Sequence, residues 1–128
     1  LDRIQVVKGW LDAAGKTHEQ VFDVSWSDAD KRPRGANGKV PSVGSSVNER
    51  EATYTNDIGA TTLTAHWSDP SFDSSQKAFY YVRVMEIPTP TWLAYDRKNF
   101  NLHDEMPAKA PYISQERAYT SPIWYNPS

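Results

Sequence analysis

The chain has 128 residues, 38% of them hydrophobic and 23% charged, which is the size and composition of one globular domain. Its net charge of −2, from 14 basic and 16 acidic residues, excludes a global basic field for nucleic acid, and no apolar run approaches the roughly 18 residues of a membrane helix. Without Cys there are no disulfides, thiolate metal sites or thiol nucleophiles.

The run Ile4 to Trp10 places Ile4, Val6 and Trp10 on one side, the period-2 pattern of a half-buried strand. A turn of the Asp and Gly kind follows at Asp12 to Lys16. Beyond it Phe22, Val24 and Trp26 face one way and Asp23 and Ser25 the other. Two such runs around a short Gly-bearing loop predict a hairpin. From Ser27 to Glu49 the periodicity is lost, and Pro33, Gly35, Gly38, Pro41 and Gly44 break every element. Loops of this length inside a compact domain serve a function or cover something.

Strand signals resume weakly at Ala52 to Thr55 and more clearly at Leu63, Ala65 and Trp67, interleaved with Thr62, Thr64 and His66. The strongest runs from Ala78 to Ile87 and ends at Pro88, which cannot donate to a ladder. Thr91 is placed to cap a short helix carrying Trp92, Leu93, Tyr95 and Phe100. A last strand is predicted within Pro122 to Tyr125. The expected fold is mainly all-β: an antiparallel, sandwich-like domain of five to seven short strands, with long irregular loops and one short helix near 91–100.

Motifs for chemistry are scarce. His18, His66 and His103 are far apart and form no His-x-His or His-Glu-x-x-His pattern, and His103-Asp104-Glu105 reads as a solvated loop. No serine lies in a Gly-x-Ser-x-Gly elbow, and Thr120-Ser121-Pro122 is expected to bond local backbone. No catalytic and no metal-ligating residue is assigned. The one basic cluster, Lys31-Arg32-Pro33-Arg34 with Lys39, reads either as a solvated loop or as a contact for an acidic partner, phosphate or sulfate. Trp10, Phe22, Trp26, Trp67, Phe79 and Tyr81 are expected in the core. The aromatics of the Pro-broken segments, Trp92, Tyr95, Tyr112, Tyr119, Trp124 and Tyr125, either pin loops or form an apolar patch.

Several blocks carry a resemblance: Ile4 to Trp10 with Val21 to Asp28, Tyr54 to Gly59, Trp67 to Pro70, Phe79 to Trp92 and Gln115 to Tyr125. In this order they resemble the C-terminal region of a bacterial family, domain of unknown function 3604, related to the polymerase-and-histidinol-phosphatase (PHP) metal hydrolases. The resemblance implies a single C-terminal accessory β domain spanning 1–128 of a longer protein. Its parent would be a hydrolase of phosphoesterase or sulfatase type, with a His-x-His-bearing catalytic domain that binds a divalent metal such as Zn or Mn. None of those ligands is in this chain, so no cofactor is expected here.

The start at Leu1, close to an apolar-alternating run and without a targeting segment, is read as that of an excised piece. The partner is then the N-terminal catalytic domain of the same polypeptide, with no nucleic acid and no membrane span, in a bacterial periplasmic or secreted setting. Trp92, Tyr95, Glu116, Arg117, Tyr119 and Trp124 are the candidate interdomain or ligand contacts. Glu116 and Arg117 would hold their loop by an ion pair or reach toward the parent's pocket. The alternative is a carbohydrate- or surface-binding module with Trp92, Tyr95 and Trp124 as stacking platforms. A weaker third is a small enzyme built on the His66 and His103 loops.

Overall fold

The structure is a computed structural model describing residues 1–128. The predicted hairpin is formed by β1 (Arg3–Leu11) and β2 (Thr17–Trp26). Its turn is closed by Asp12, whose Oδ1 accepts from the Ala14 and Lys16 amides, and by Gly15 at φ +76°. The strongest predicted strand is β3 (Ala78–Met85), antiparallel to β1. The outer edge of β3 is shared by two short strands. β6 (Arg117–Tyr119) pairs with Arg83–Met85, and β7 (Ile123–Tyr125) pairs with Ala78–Tyr80. Thr120 bridges the gap, its Oγ1 accepting from the Val82 amide and its own amide donating to the Val82 carbonyl. The result is one five-stranded antiparallel sheet.

At the far end of β3 the chain forms β4 (Thr89–Pro90), α1 (Trp92–Asn99) and β5 (Ile113–Ser114), with β4 and β5 paired. Thr91 is the N-cap, but its hydroxyl donates to the Pro111 carbonyl and leaves the helix amides alone. Arg97 and Lys98 in the last turn suit the negative end of the helix dipole. The helix packs Ala94 against Ala52 and Tyr112, a small second core flanked by Leu93, Met106 and Ala110.

The layer opposite the sheet is irregular chain. The strand expected around Leu63 to Trp67 does not form: this segment crosses over the sheet face instead of lying beside a strand edge. Trp67 meets Phe22 at 5.0 Å and Tyr80 at 6.2 Å between ring centroids, so it is half-buried without any ladder. Ala52 to Thr55 contributes only an isolated bridge, Asn48 with Thr53. A bulge in β2 overturns the period-2 reading there. Val6 pairs with Phe22 but Arg3 pairs with Trp26, so Phe22 and Trp26 point to opposite faces. Trp26 meets the 32–41 loop, donating Nε1–H to the Arg32 carbonyl.

Charged side chains fasten these loops. Arg32 is buried and sends Nη2 to Asp2 Oδ1 at 2.6 Å, Nη1 to the Ser27 carbonyl and hydroxyl, and Nη2 and Nε to the Pro41 carbonyl. Asp2, 2% exposed, also accepts from Arg3 and Gln115. Within the basic cluster, then, Arg32 is a structural ion-pair partner, and Arg34 lies 5.0 Å over Trp26 while donating to the Asp23 and Gly38 carbonyls. Lys31, Arg34 and Lys39 remain exposed.

On the other face Lys8, buried in mid-strand, pairs with Asp69 at 2.6 Å and donates to the Ser71 carbonyl. Burial pushes the Asp69 carboxyl up. Hydrogen bonds from Lys8, the Ser71 amide, Tyr80 and the Ser71 hydroxyl outweigh it and hold the group at about 2.

Two outcomes follow from these anchors. Arg32→Ala leaves Asp2 buried without its closest cation and costs about 3 kcal/mol of unfolding free energy in urea titration. Asp69 titrates at about 2 in the folded chain against 3.8 ordinarily, so the unfolded chain takes up this proton first on acidification. The contribution of Asp69 is complete above pH ~4 and drains as the pH falls toward ~2. Asp69→Asn, compared with the parent by Tm at several pH values, flattens that part of the acid limb.

Candidate functional site

The sheet register sets out a surface row by row on the face opposite Lys8. Trp124, Phe79, Gly9 and Glu19 form one row and Tyr81, Val7 and Val21 the next. Tyr119, Arg83, Gln5 and Asp23 follow, then Arg117, Met85 and Arg3. The 32–41 loop covers only the last rows at the β1–β2 side. There Val40 is buried, Arg3 donates to the Val40 and Pro41 carbonyls, and Asp23 accepts from Gln5 and Arg3.

The first rows stay open at both edges, at Trp124 and Val21, while Val7 between them is buried. Their rings form a ladder: Trp124 to Phe79 at 5.2 Å, Phe79 to Tyr81 at 6.4 Å with ring planes within 8°, and Tyr81 to Tyr119 at 6.2 Å. Trp124 is 68% and Tyr119 56% exposed. Phe79 and Tyr81, expected in the core, are instead half-buried members of this open face. Gly9 makes room for the ladder, because a Cβ there would lie 2.4 Å from Phe79 Cζ.

At the Trp124 end the face deepens into a hollow of about 550 Å³ whose lining includes Leu11, Glu19, Lys77, Phe79, Trp124 and Asn126. His18, on its rim, stacks on Trp10 at 5.1 Å and 17° and bonds Asp12 Oδ2 at 2.7 Å. That contact holds the Asp12 carboxyl below its ordinary range, with help from the Lys16 amide.

Trp92 and Tyr95 lie elsewhere. Both are exposed on α1, and Trp92 shares a smaller hollow with Leu93, Ile113 and Glu116. Glu116 accepts the Glu86 amide, seven residues beyond the Phe79 partner of Trp124, or roughly 23 Å along an extended chain. Of the sequence-predicted contacts, Tyr119 and Trp124 therefore share the sheet face with Arg117. Trp92 and Glu116 line a second hollow, with Tyr95 three residues from Trp92 on α1, and no single platform unites Trp92, Tyr95 and Trp124. Glu116 and Arg117 are exposed, and neither belongs to an ion pair. Backbone pairing holds their segment.

The residue set that sequence reasoning missed is Lys8, Asp69 and Tyr80. Tyr80 donates to Asp69 at 2.8 Å, and burial with the adjacent carboxylate pushes its hydroxyl up to about 12. Lys8 and Asp69 are 3% and 6% exposed and already share their hydrogen bonds with Ser71, so the cluster is a closed anchor and not a reaction centre. No three His, Asp or Glu side chains come together in a way that could hold a metal ion.

The ladder rests on one glycine, which makes it testable. Gly9→Ala costs about 2 kcal/mol while the far-UV CD is kept, because the ring of Phe79 must swing off β1. In a Phe79→Ala background the same substitution costs less than half as much. An equal cost in both backgrounds would place the strain elsewhere.

No curated protein and no solved structure matches this chain. Residues 1–127 match the family described as a protein of unknown function, DUF3604. The match spans the first strand through the last, so the chain is a member of the DUF3604 family.

Proposed function

We propose that this chain is a non-catalytic C-terminal accessory β domain of a PHP-like metal-dependent hydrolase of phosphoesterase or sulfatase type. It packs on the catalytic domain that precedes it in the same polypeptide and contributes no metal ligand. One observation carries the reading. Ten large apolar side chains are at least 39% exposed, whereas only five buried hydrophobic residues are larger than Ala. A domain that leaves twice as many large apolar side chains exposed as it fully buries is built to be covered.

The α1 end supports the same reading. Trp92 at 70% and Phe100 at 68% exposure, with Tyr95, leave the helix unpartnered on its outer side. The adjoining hollow of about 370 Å³ between Trp92 and Glu116 receives a side chain from the partner. Interdomain contacts of this kind are moderate in area and rely on a few aromatic anchors.

The test uses the chain alone and the chain co-expressed with the polypeptide encoded directly upstream. The expected result has three parts: a His-x-His-bearing domain upstream, co-purification lost in Trp92→Glu, and no turnover of nitrophenyl phosphate, bis-nitrophenyl phosphate or nitrophenyl sulfate by the chain alone with Zn or Mn. Turnover by the chain alone, or an upstream frame without a metal-binding domain, overturns the proposal.

A further inference from the structure

The open sheet face has a chemistry that packing through α1 does not use. Its rings lie in sequence along β3 and β6–β7, from Trp124 through Phe79 and Tyr81 to Tyr119. Gly9 lets Phe79 close down onto β1, and the ring planes of Phe79 and Tyr81 are parallel within 8°. The exposed Trp124 and Tyr119 bracket the half-buried Phe79 and Tyr81, so one extended ligand can meet several rings. The C–H-bearing face of a pyranose carries the complementary partial positive charge, and its hydroxyls need polar groups at the margins. Glu19, Lys77 and Asn126 supply these around the hollow at the Trp124 end.

Charge then selects among such ligands. Beyond Tyr81 the face carries Arg83 and Arg117, cross-strand neighbours of Tyr119 and Met85. Arg83 spends its Nε on Gln5 Oε1, and neither guanidinium belongs to an ion pair. Asp23, the carboxylate in the same row, is already taken by Arg3 and Gln5. The open face thus presents Arg83, Arg117 and Lys77 against Glu19 alone. Two guanidiniums with free donors beside aromatic rings match carboxylate or sulfate groups on a sugar.

We infer that this face binds an acidic polysaccharide, a chain of pyranose units bearing carboxylate or sulfate groups, stacked along Trp124, Phe79, Tyr81 and Tyr119 with its anionic groups on Arg83 and Arg117. The inference does not depend on the hydrolase reading, since every residue it uses lies within this chain. It places the ligand on β-sheet side chains of fixed spacing, so the footprint spans several sugar units and not one.

Affinity electrophoresis and calorimetry of the 128-residue chain test it with alginate, chondroitin sulfate and the neutral glucan laminarin. Alginate and chondroitin sulfate separate carboxylate from sulfate recognition. The expected result is saturable binding to at least one of these two and none to laminarin. Trp124→Ala is expected to lose about tenfold in affinity, an energy of about 1.4 kcal/mol. Arg117→Ala is expected to lose a few-fold and to flatten the dependence on salt. Both side chains are exposed, and an unchanged Tm verifies that the fold is kept.

Binding to neither anionic polymer overturns the inference, as does equal binding to laminarin or undiminished binding by Trp124→Ala. A chain that binds no polymer and sediments as a dimer, made monomeric by Trp124→Ala, assigns the face to a second copy instead. Because no upstream domain is present in these assays, their failure leaves the hydrolase packing untouched, and the reverse holds as well.

Discussion

The Arg32–Asp2 ion pair sets the architecture, because it is the point where the longest irregular stretch is tied to the sheet. Asp2 stands just before β1, takes the Ser27 amide on its carbonyl, and receives Arg32, Arg3 and Gln115 on its carboxylate. Three distant parts of the chain therefore meet at one buried anion. A charge so placed is tolerated only when its hydrogen-bonding capacity is filled, and here the guanidinium fork does most of the filling. Lys8 with Asp69 repeats the arrangement on the opposite face.

The need for such anchors follows from the size of the sheet. Three long strands have two faces to cover, and the one other sheet, β4 with β5, is only two residues long. Irregular chain can supply an apolar residue here and there, as Trp67 does over Phe22 and Val40 over the β1–β2 end. It cannot lay down a continuous apolar stripe, because its side chains do not repeat with a fixed period. Charged tethers hold what sparse apolar contact cannot, and the regions without a tether remain open. The aromatic ladder and the outer side of α1 are those regions.

This division also separates stability from recognition. The tethered side holds the closed Lys8–Asp69–Tyr80 cluster, in which hydrogen bonds outweigh burial to hold Asp69 low, and burial with the adjacent carboxylate pushes Tyr80 up. Displaced titration in a buried, fully paired cluster marks a structural joint as readily as a reactive one. The open side holds rings and unpaired guanidiniums, which suit contact better than reaction. Membership in the DUF3604 family, matched over residues 1–127, adds no reaction to this picture.

Local pattern was enough for the longer elements and β7, but not for the short strands β4, β5 and β6. Alternation drew the β1–β2 hairpin, the dense β-branched and aromatic run drew β3, and Thr91 and Pro122 bracketed α1 and β7. The same alternation misled at Leu63 to Trp67, where burial came from crossing a sheet face, and at Trp26, which a bulge turned to the other side. Trp124 and Tyr119 were legible as candidates for an exposed apolar patch because Pro-broken segments rarely build a core. Phe79 and Tyr81 were not, since a strand residue carries no local sign of whether its face will be covered.

Nor did any spacing announce that Lys8 would be buried with Asp69 or Arg32 with Asp2, residues 61 and 30 positions apart by their numbers. Sequence by itself determined where the backbone could extend, turn or coil, because those preferences act over a few neighbouring residues. The tertiary structure alone decided which charges were buried and which rings were left to solvent, because both depend on contacts between segments far apart in the chain.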